Sequence, residues 1–92
     1  MKPIRFRREA GQDLRKIFDY FDEVAPEALT NVRVDIRRSL NLLRRYPQIG
    51  MRVERKPYRR IVTRRYKFKI AYLDEDEVVT VVGIFRYQDR EV

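Results

Sequence analysis

Past the first few residues, the spacing of apolar residues changes from a period of three to four in the first half of this chain to a period of two in the second. The first period lays apolar side chains along one stripe of a helix, and the second lays them on one face of a strand. Residues 9–23 read as a helix: Ala10, Leu14, Ile17 and Phe21 follow at spacings of four, three and four, Phe18 widens the stripe, and Asp13 and Asp19 fall off it. Val24-Ala25-Pro26 breaks that run. Pro26 suits a first helical position and Glu27 the positive end of the helix dipole, so a second helix begins at residue 26. It runs to residue 45 with Leu29, Val32, Ile36, Leu40 and Leu43 on one stripe and Arg37, Arg38, Arg44 and Arg45 off it, until Tyr46-Pro47-Gln48-Ile49-Gly50 stops it. Two striped helices joined so closely form an antiparallel hairpin.

The remainder reads as strands. Residues 2–7 form a short first strand, with Ile4 and Phe6 alternating with Arg5 and Arg7. Residues 58–63 form a second. Residues 66–73 form a third, with Tyr66, Phe68, Ile70 and Tyr72 on one face and Lys67 and Lys69 on the other. An acidic turn, residues 74–77, leads into a strand over 78–85, rich in Val and Ile and expected to be central. The order β-α-α-β-β-β predicts an α+β fold with the helical hairpin on one face of a small, mainly antiparallel sheet. With 92 residues, a single domain over 1–92 is expected.

Composition narrows the chemistry. The chain has no cysteine, which removes disulfides, thiolate metal sites and a cysteine nucleophile, and no histidine, which removes the usual metal ligand and the side chain that titrates near neutrality. No metal or other cofactor is expected. No apolar run approaches membrane-spanning length, and the basic start Met1-Lys2-Pro3-Ile4-Arg5 lacks an apolar core, so neither a membrane span nor a signal peptide is expected and the location is read as cytoplasmic. Net charge is +8. Arg52, Arg55, Lys56, Arg59, Arg60, Arg64, Arg65, Lys67 and Lys69 face only Glu54 between residues 52 and 72, while the rest of the chain balances thirteen basic against thirteen acidic residues. A surplus confined to one segment attracts a polyanion or an acidic protein.

Several motifs carry a resemblance. Ala10, Asp13, Leu14, Ile17 and Tyr20 stand as Ala-x-x-Asp-Leu-x-x-Ile-x-x-Tyr; Pro26-Glu27-Ala28 opens the second helix; Leu43 to Gly50 reads Leu-x-x-x-Pro-x-x-Gly; Arg59-Arg60-Ile61 and the Tyr66 to Tyr72 pair follow. In this order they resemble the ParE/RelE toxin superfamily, closest to its ParE branch, over nearly the whole chain. The family's last strand usually leads to His; here Val79 to Phe85 leads to Arg86. The resemblance implies a helix pair on a small sheet, and a cognate ParD-like antitoxin with an acidic C-terminal arm that forms a hetero-oligomer with the toxin. It implies one of two targets: DNA gyrase, poisoned by ParE-like members, or mRNA on the ribosome, cut by RelE-like members.

The residues weigh these targets differently. Cleaving RNA needs cations at the phosphate and a proton carrier of suitable pKa. Without histidine, the candidates are Arg60 and Arg86 at the phosphate, with Tyr87 stacking on a base or moving a proton. A gyrase poison needs a binding surface and no catalytic group. The surface expected to meet target or antitoxin comprises Arg59, Arg60, Arg64, Arg65, Lys67, Lys69, Arg86 and Arg90. Gyrase inhibition is favoured, with mRNA cleavage as the alternative. A plain nucleic-acid-binding module and a relative that keeps only antitoxin binding stay open.

Overall fold

A computed structural model describes residues 1–86. The strand β1 (Ile4–Phe6) leads into helix α1 (Arg8–Val24), a 3-10 turn (Pro26–Ala28) and helix α2 (Leu29–Arg45), then strands β2 (Met51–Arg52), β3 (Arg59–Val62), β4 (Lys69–Asp74) and β5 (Val79–Phe85). The five strands lie in the order β1-β5-β4-β3-β2, with β1 parallel to β5 and every other pairing antiparallel. The sheet is therefore mainly antiparallel, as expected, with one parallel pairing. β5 is flanked on both sides, while β4 takes the middle.

Proline sets the helix ends. Pro26 forces Ala25 out of helical conformation (φ −150°, ψ 66°), so α1 closes with the Ala25 N–H on Phe21 O at 2.9 Å. Pro26 opens a 3-10 turn instead of the α-helix itself, which starts at Leu29, three residues later than the sequence reading. Pro47 acts likewise on Tyr46, the residue that ends α2.

Both helical stripes face the sheet. Ala10 and Ile17 of α1 and Val32, Ile36 and Leu43 of α2 are buried against Ile70 and Tyr72 of β4 and Val79, Val81 and Ile84 of β5, with Leu14, Phe18, Phe21, Leu40 and Ile61 packed around them. Register puts Ile61, Ile70 and Ile84 in one row and Arg59, Tyr72 and Val81 in the next. A bulge at the Ala71/Tyr72 step keeps both rows on the helical side. Arg60, Ala71 and Gly83, and Val62, Lys69 and Phe85, form the alternate rows on the uncovered face.

Two further sequence expectations change. A two-residue strand, β2, joins the sheet where none was predicted, because it is too short to show a period. The predicted strand over 66–73 starts at Lys69, since residues 64–66 form a turn and Lys67 has φ 61°. Buried Asp35 on α2 accepts the Arg65 and Tyr66 N–H groups at 3.0 and 2.9 Å, and the Thr63 hydroxyl accepts the Phe68 N–H at 2.9 Å. Backbone donors that a strand would offer a neighbour are spent on these side chains. Tyr66, Phe68 and Phe21 then cluster with ring centroids 5.8 to 6.2 Å apart and fix the turn against the end of α1.

Candidate functional site

Helix α2 has a second face that the core does not use. Val34 and Leu42, off its buried stripe, lie eight residues apart on the outward side with Arg37, Arg38, Asn41 and Arg45 around them. Facing them is the outer edge of the sheet, where β2 stops opposite Arg60 while β3 continues to Val62. The chain between α2 and β2 closes one end with Ile49, Gly50 and Met51. Between these elements lies a groove of about 1150 Å³. Its floor is aliphatic: Val34, Leu42, Ile49, Met51 and Val62 are 40% to 71% exposed, a surface left open to water. Its rim is cationic, with Arg37, Arg38, Arg44, Arg45, Arg60 and Arg64, and its lining includes neither a carboxylate nor an aromatic ring.

The closed end is held from below. Gly50 donates its N–H to the Tyr72 hydroxyl at 2.9 Å, and the Arg59 guanidinium donates to Gly50 O at 2.9 Å and Gln48 O at 3.3 Å. A Cβ on Gly50 would stand 2.6 Å from the Tyr72 hydroxyl and 3.0 Å from Arg60 O, so only glycine fits. Burial pushes the Tyr72 phenol above its ordinary value, with the Gly50 N–H and Arg59 opposing the rise. For Asp35, burial acts to raise the carboxyl, but the Thr63 hydroxyl, the two backbone N–H groups and nearby Arg38 together outweigh it and hold it below 3.8.

The residues predicted to meet a target or partner are spread over several places. Arg59 clamps the groove's closed end. Arg60 and Arg64 line the groove. Arg65 lies over its neighbour Tyr66 at 5.3 Å, in the turn that Lys67 follows. Register puts Lys69 on the uncovered face beside Phe85. Arg86 sits over Tyr20 of α1 at 5.2 Å. Tyr87 and Arg90 lie outside the described residues. β4 separates Arg60 on β3 from β5, and Arg86 follows three residues beyond Gly83, which lies in the row of Arg60, a backbone separation of roughly 14 Å. The basic segment also divides: Arg55 and Lys56 occupy the turn before β3, while Arg64, Arg65 and Lys67 occupy the turn after it.

Sequence reasoning missed the contribution of α2. Four of its five arginines, Arg37, Arg38, Arg44 and Arg45, were counted in the charge-balanced remainder, yet they join Arg60 and Arg64 on one rim. The available signal was Val34 and Leu42, two apolar residues in a helix whose buried stripe was already complete.

A second concavity, about 320 Å³, lies on the uncovered face of the sheet, lined by Arg7, Lys56, Tyr58, Leu73, Val82 and Phe85 among others. Among the described residues, no three or more carboxylates gather as a metal site, and no helix is long and apolar enough to cross a membrane.

Comparison with known proteins bears on this arrangement. Residues 4–90 match the family described as ParE toxin of type II toxin-antitoxin system, parDE. Among solved structures, the chain is similar to one from a chromosomal ParDE toxin–antitoxin system of P. aeruginosa, with a TM-score of 0.79 and 21% identity over 96% of this chain and 98% of that one. It is also similar to a conserved hypothetical protein of Helicobacter pylori, with a TM-score of 0.63 and 15% identity over 97% of this chain and 98% of that one. The search of curated proteins finds no match.

Proposed function

Because the chain belongs to the ParE family of type II toxins, we propose that it arrests growth by poisoning DNA gyrase and is neutralised by direct binding of its cognate antitoxin. The observation that carries the gyrase reading is how the fold spends its shifted acid–base groups. Asp35 and Tyr72 are both committed to backbone hydrogen bonds that hold turns in place, so neither is poised to move a substrate proton. A poison that holds a target in one state needs contact surface alone. The uncovered sheet face supplies cations and rings together: Arg7 and Lys56 beside Tyr58 and Phe85. Register adds Arg60 and Lys69 to that face. Cations there suit the phosphates of a gyrase-bound DNA segment and the rings suit its bases.

The alternative, ribosome-dependent mRNA cleavage, has Arg60, Arg86 and Tyr87 as the groups to test. Purified protein added to gyrase in supercoiling and cleavage assays separates the two. The gyrase reading expects loss of supercoiling and accumulation of cleaved DNA, both reversed by antitoxin. Unimpaired gyrase, together with new cuts in translated mRNA by primer extension, would replace it with the nuclease reading.

A further inference from the structure

We infer that the chain pairs with a second copy of itself through the loop between α2 and β2, whose tip enters a hollow beside the acidic turn of the other copy. This pairing is independent of the gyrase reading. Shape supports it first. A concavity of about 640 Å³ lies between that loop, with Tyr46, Pro47, Gln48 and Ile49, and the Lys2–Asp74 ion pair. Ile49 lines the arginine-rimmed groove as well, so it stands on the ridge between two hollows. Tyr46 and Ile49 are at least half exposed, an apolar surface left to water. A ridge next to a hollow is self-complementary about a twofold axis, because the ridge of each copy fills the hollow of the other. The ridge is also shaped beforehand. Ile49 N–H donates to Tyr46 O at 3.0 Å, the Tyr72 hydroxyl accepts the Gly50 N–H, and Arg59 donates to Gln48 O and Gly50 O. Little freedom is then lost on contact.

Charge selects the occupant. At a net charge of +8, two copies repel one another over most approaches. At this end of the molecule the signs nearly balance, because residues 74–77 bring four carboxylates close to Lys2, Arg44 and Arg45. Lys2 ties these together: its Nζ donates to Asp74 and to Glu75 O, both at 2.6 Å, and its carbonyl accepts from Arg44. Across the surface, Arg45 lies on the groove side, Ile49 on the ridge, and Asp74 beyond the hollow. The axis that seats Ile49 in the opposite hollow therefore sets Arg45 against the acidic turn of the other copy, and does so twice. The same carboxylates repel a phosphate backbone here. Loop tip and hollow together bury roughly 1,000 Å² over both copies, the lower end for specific association.

Sedimentation velocity of the full chain is expected to show a monomer–dimer equilibrium with a Kd of about 10–100 μM. Amide resonances within residues 45–49 and 74–77 are expected to shift on dilution. Ile49→Glu is expected to weaken the dimer about tenfold or more. Arg45→Glu, and separately the pair Asp76→Arg with Glu77→Arg, are each expected to stay monomeric, since like charges then face one another. An equimolar mixture of these two variants is expected to recover the dimer, because every facing pair is again of opposite sign. Melting temperatures near that of the wild type check that each variant folds. A wild-type chain that stays monomeric, a dimer indifferent to Ile49→Glu, a mixture that fails to pair, or growth into longer assemblies would each overturn the proposal.

Discussion

At the scale of single residues, the groove's closed end depends on one atom that is missing. Gly50 lets the backbone lie against the Tyr72 ring and Arg60 O at distances that no side chain tolerates. Gly50→Ala is expected to lower stability by about 1–3 kcal/mol through overpacking, measured by denaturant unfolding. Tyr72→Phe removes the acceptor of the Gly50 N–H and is expected to cost about 1–2 kcal/mol. Asp35 gives a pH dependence of definite sign. Its carboxyl is held below 3.8, so the folded chain binds that proton less readily than the unfolded chain. Its stabilising contribution is present above the unfolded value and drains away as pH falls from about 4 through the lower folded value. Asp35→Asn is expected to be less stable than wild type at neutral pH and to lose less on acidification below about pH 4, as read from melting temperatures across pH.

At the scale of elements, polar side chains on the helices are what secure the sheet's ends. Asp13 lies off the apolar stripe of α1, as its spacing indicates, yet it is half-buried and accepts the Ile84 N–H of β5 at 3.1 Å. It ties the C-terminal end of the strand to the helix, just before Arg86 stacks on Tyr20 of the same helix. Asp13→Ala is expected to cost about 1–2 kcal/mol and to raise hydrogen exchange at Ile84 selectively. These contacts mark what a sequence can convey. Both helices, three of the strands near their expected bounds, and the core stripes follow from period alone, because one buried face imposes one spacing. The 3-10 turn at Pro26, β2, and the late start of β4 were not legible, since each depends on hydrogen bonds to residues distant in sequence, such as Asp35 with Tyr66. The site was legible in its charge but not in its shape. Arg60 and Arg64 belong to the groove, while the α2 arginines that complete its rim were hidden in a stretch whose charge balances.

At the scale of the whole molecule, two surfaces that meet at Arg60 and Val62 carry different chemistry: an aliphatic groove rimmed with arginine at the sheet edge, and an uncovered sheet face where rings accompany the cations. Six arginines around one groove should speed the encounter with a partner surface of opposite charge. The association rate constant for antitoxin is expected to fall about tenfold between about 50 and about 300 mM salt, with a smaller change in the dissociation rate, measured by stopped flow. The parallel pairing of β1 with β5 has a consequence of another kind. Ile4 meets Val79, and Arg5 reaches Thr80 seventy-five residues further on. A ribosome adding about 5–20 residues per second makes the first strand wait roughly 4–15 s for its neighbour. Until then α1 and α2 have little sheet to cover, and the nascent chain stays without its final shape. Each newly made molecule therefore passes through an interval, set by the speed of translation, in which an inhibitor already at hand can meet it before it becomes harmful.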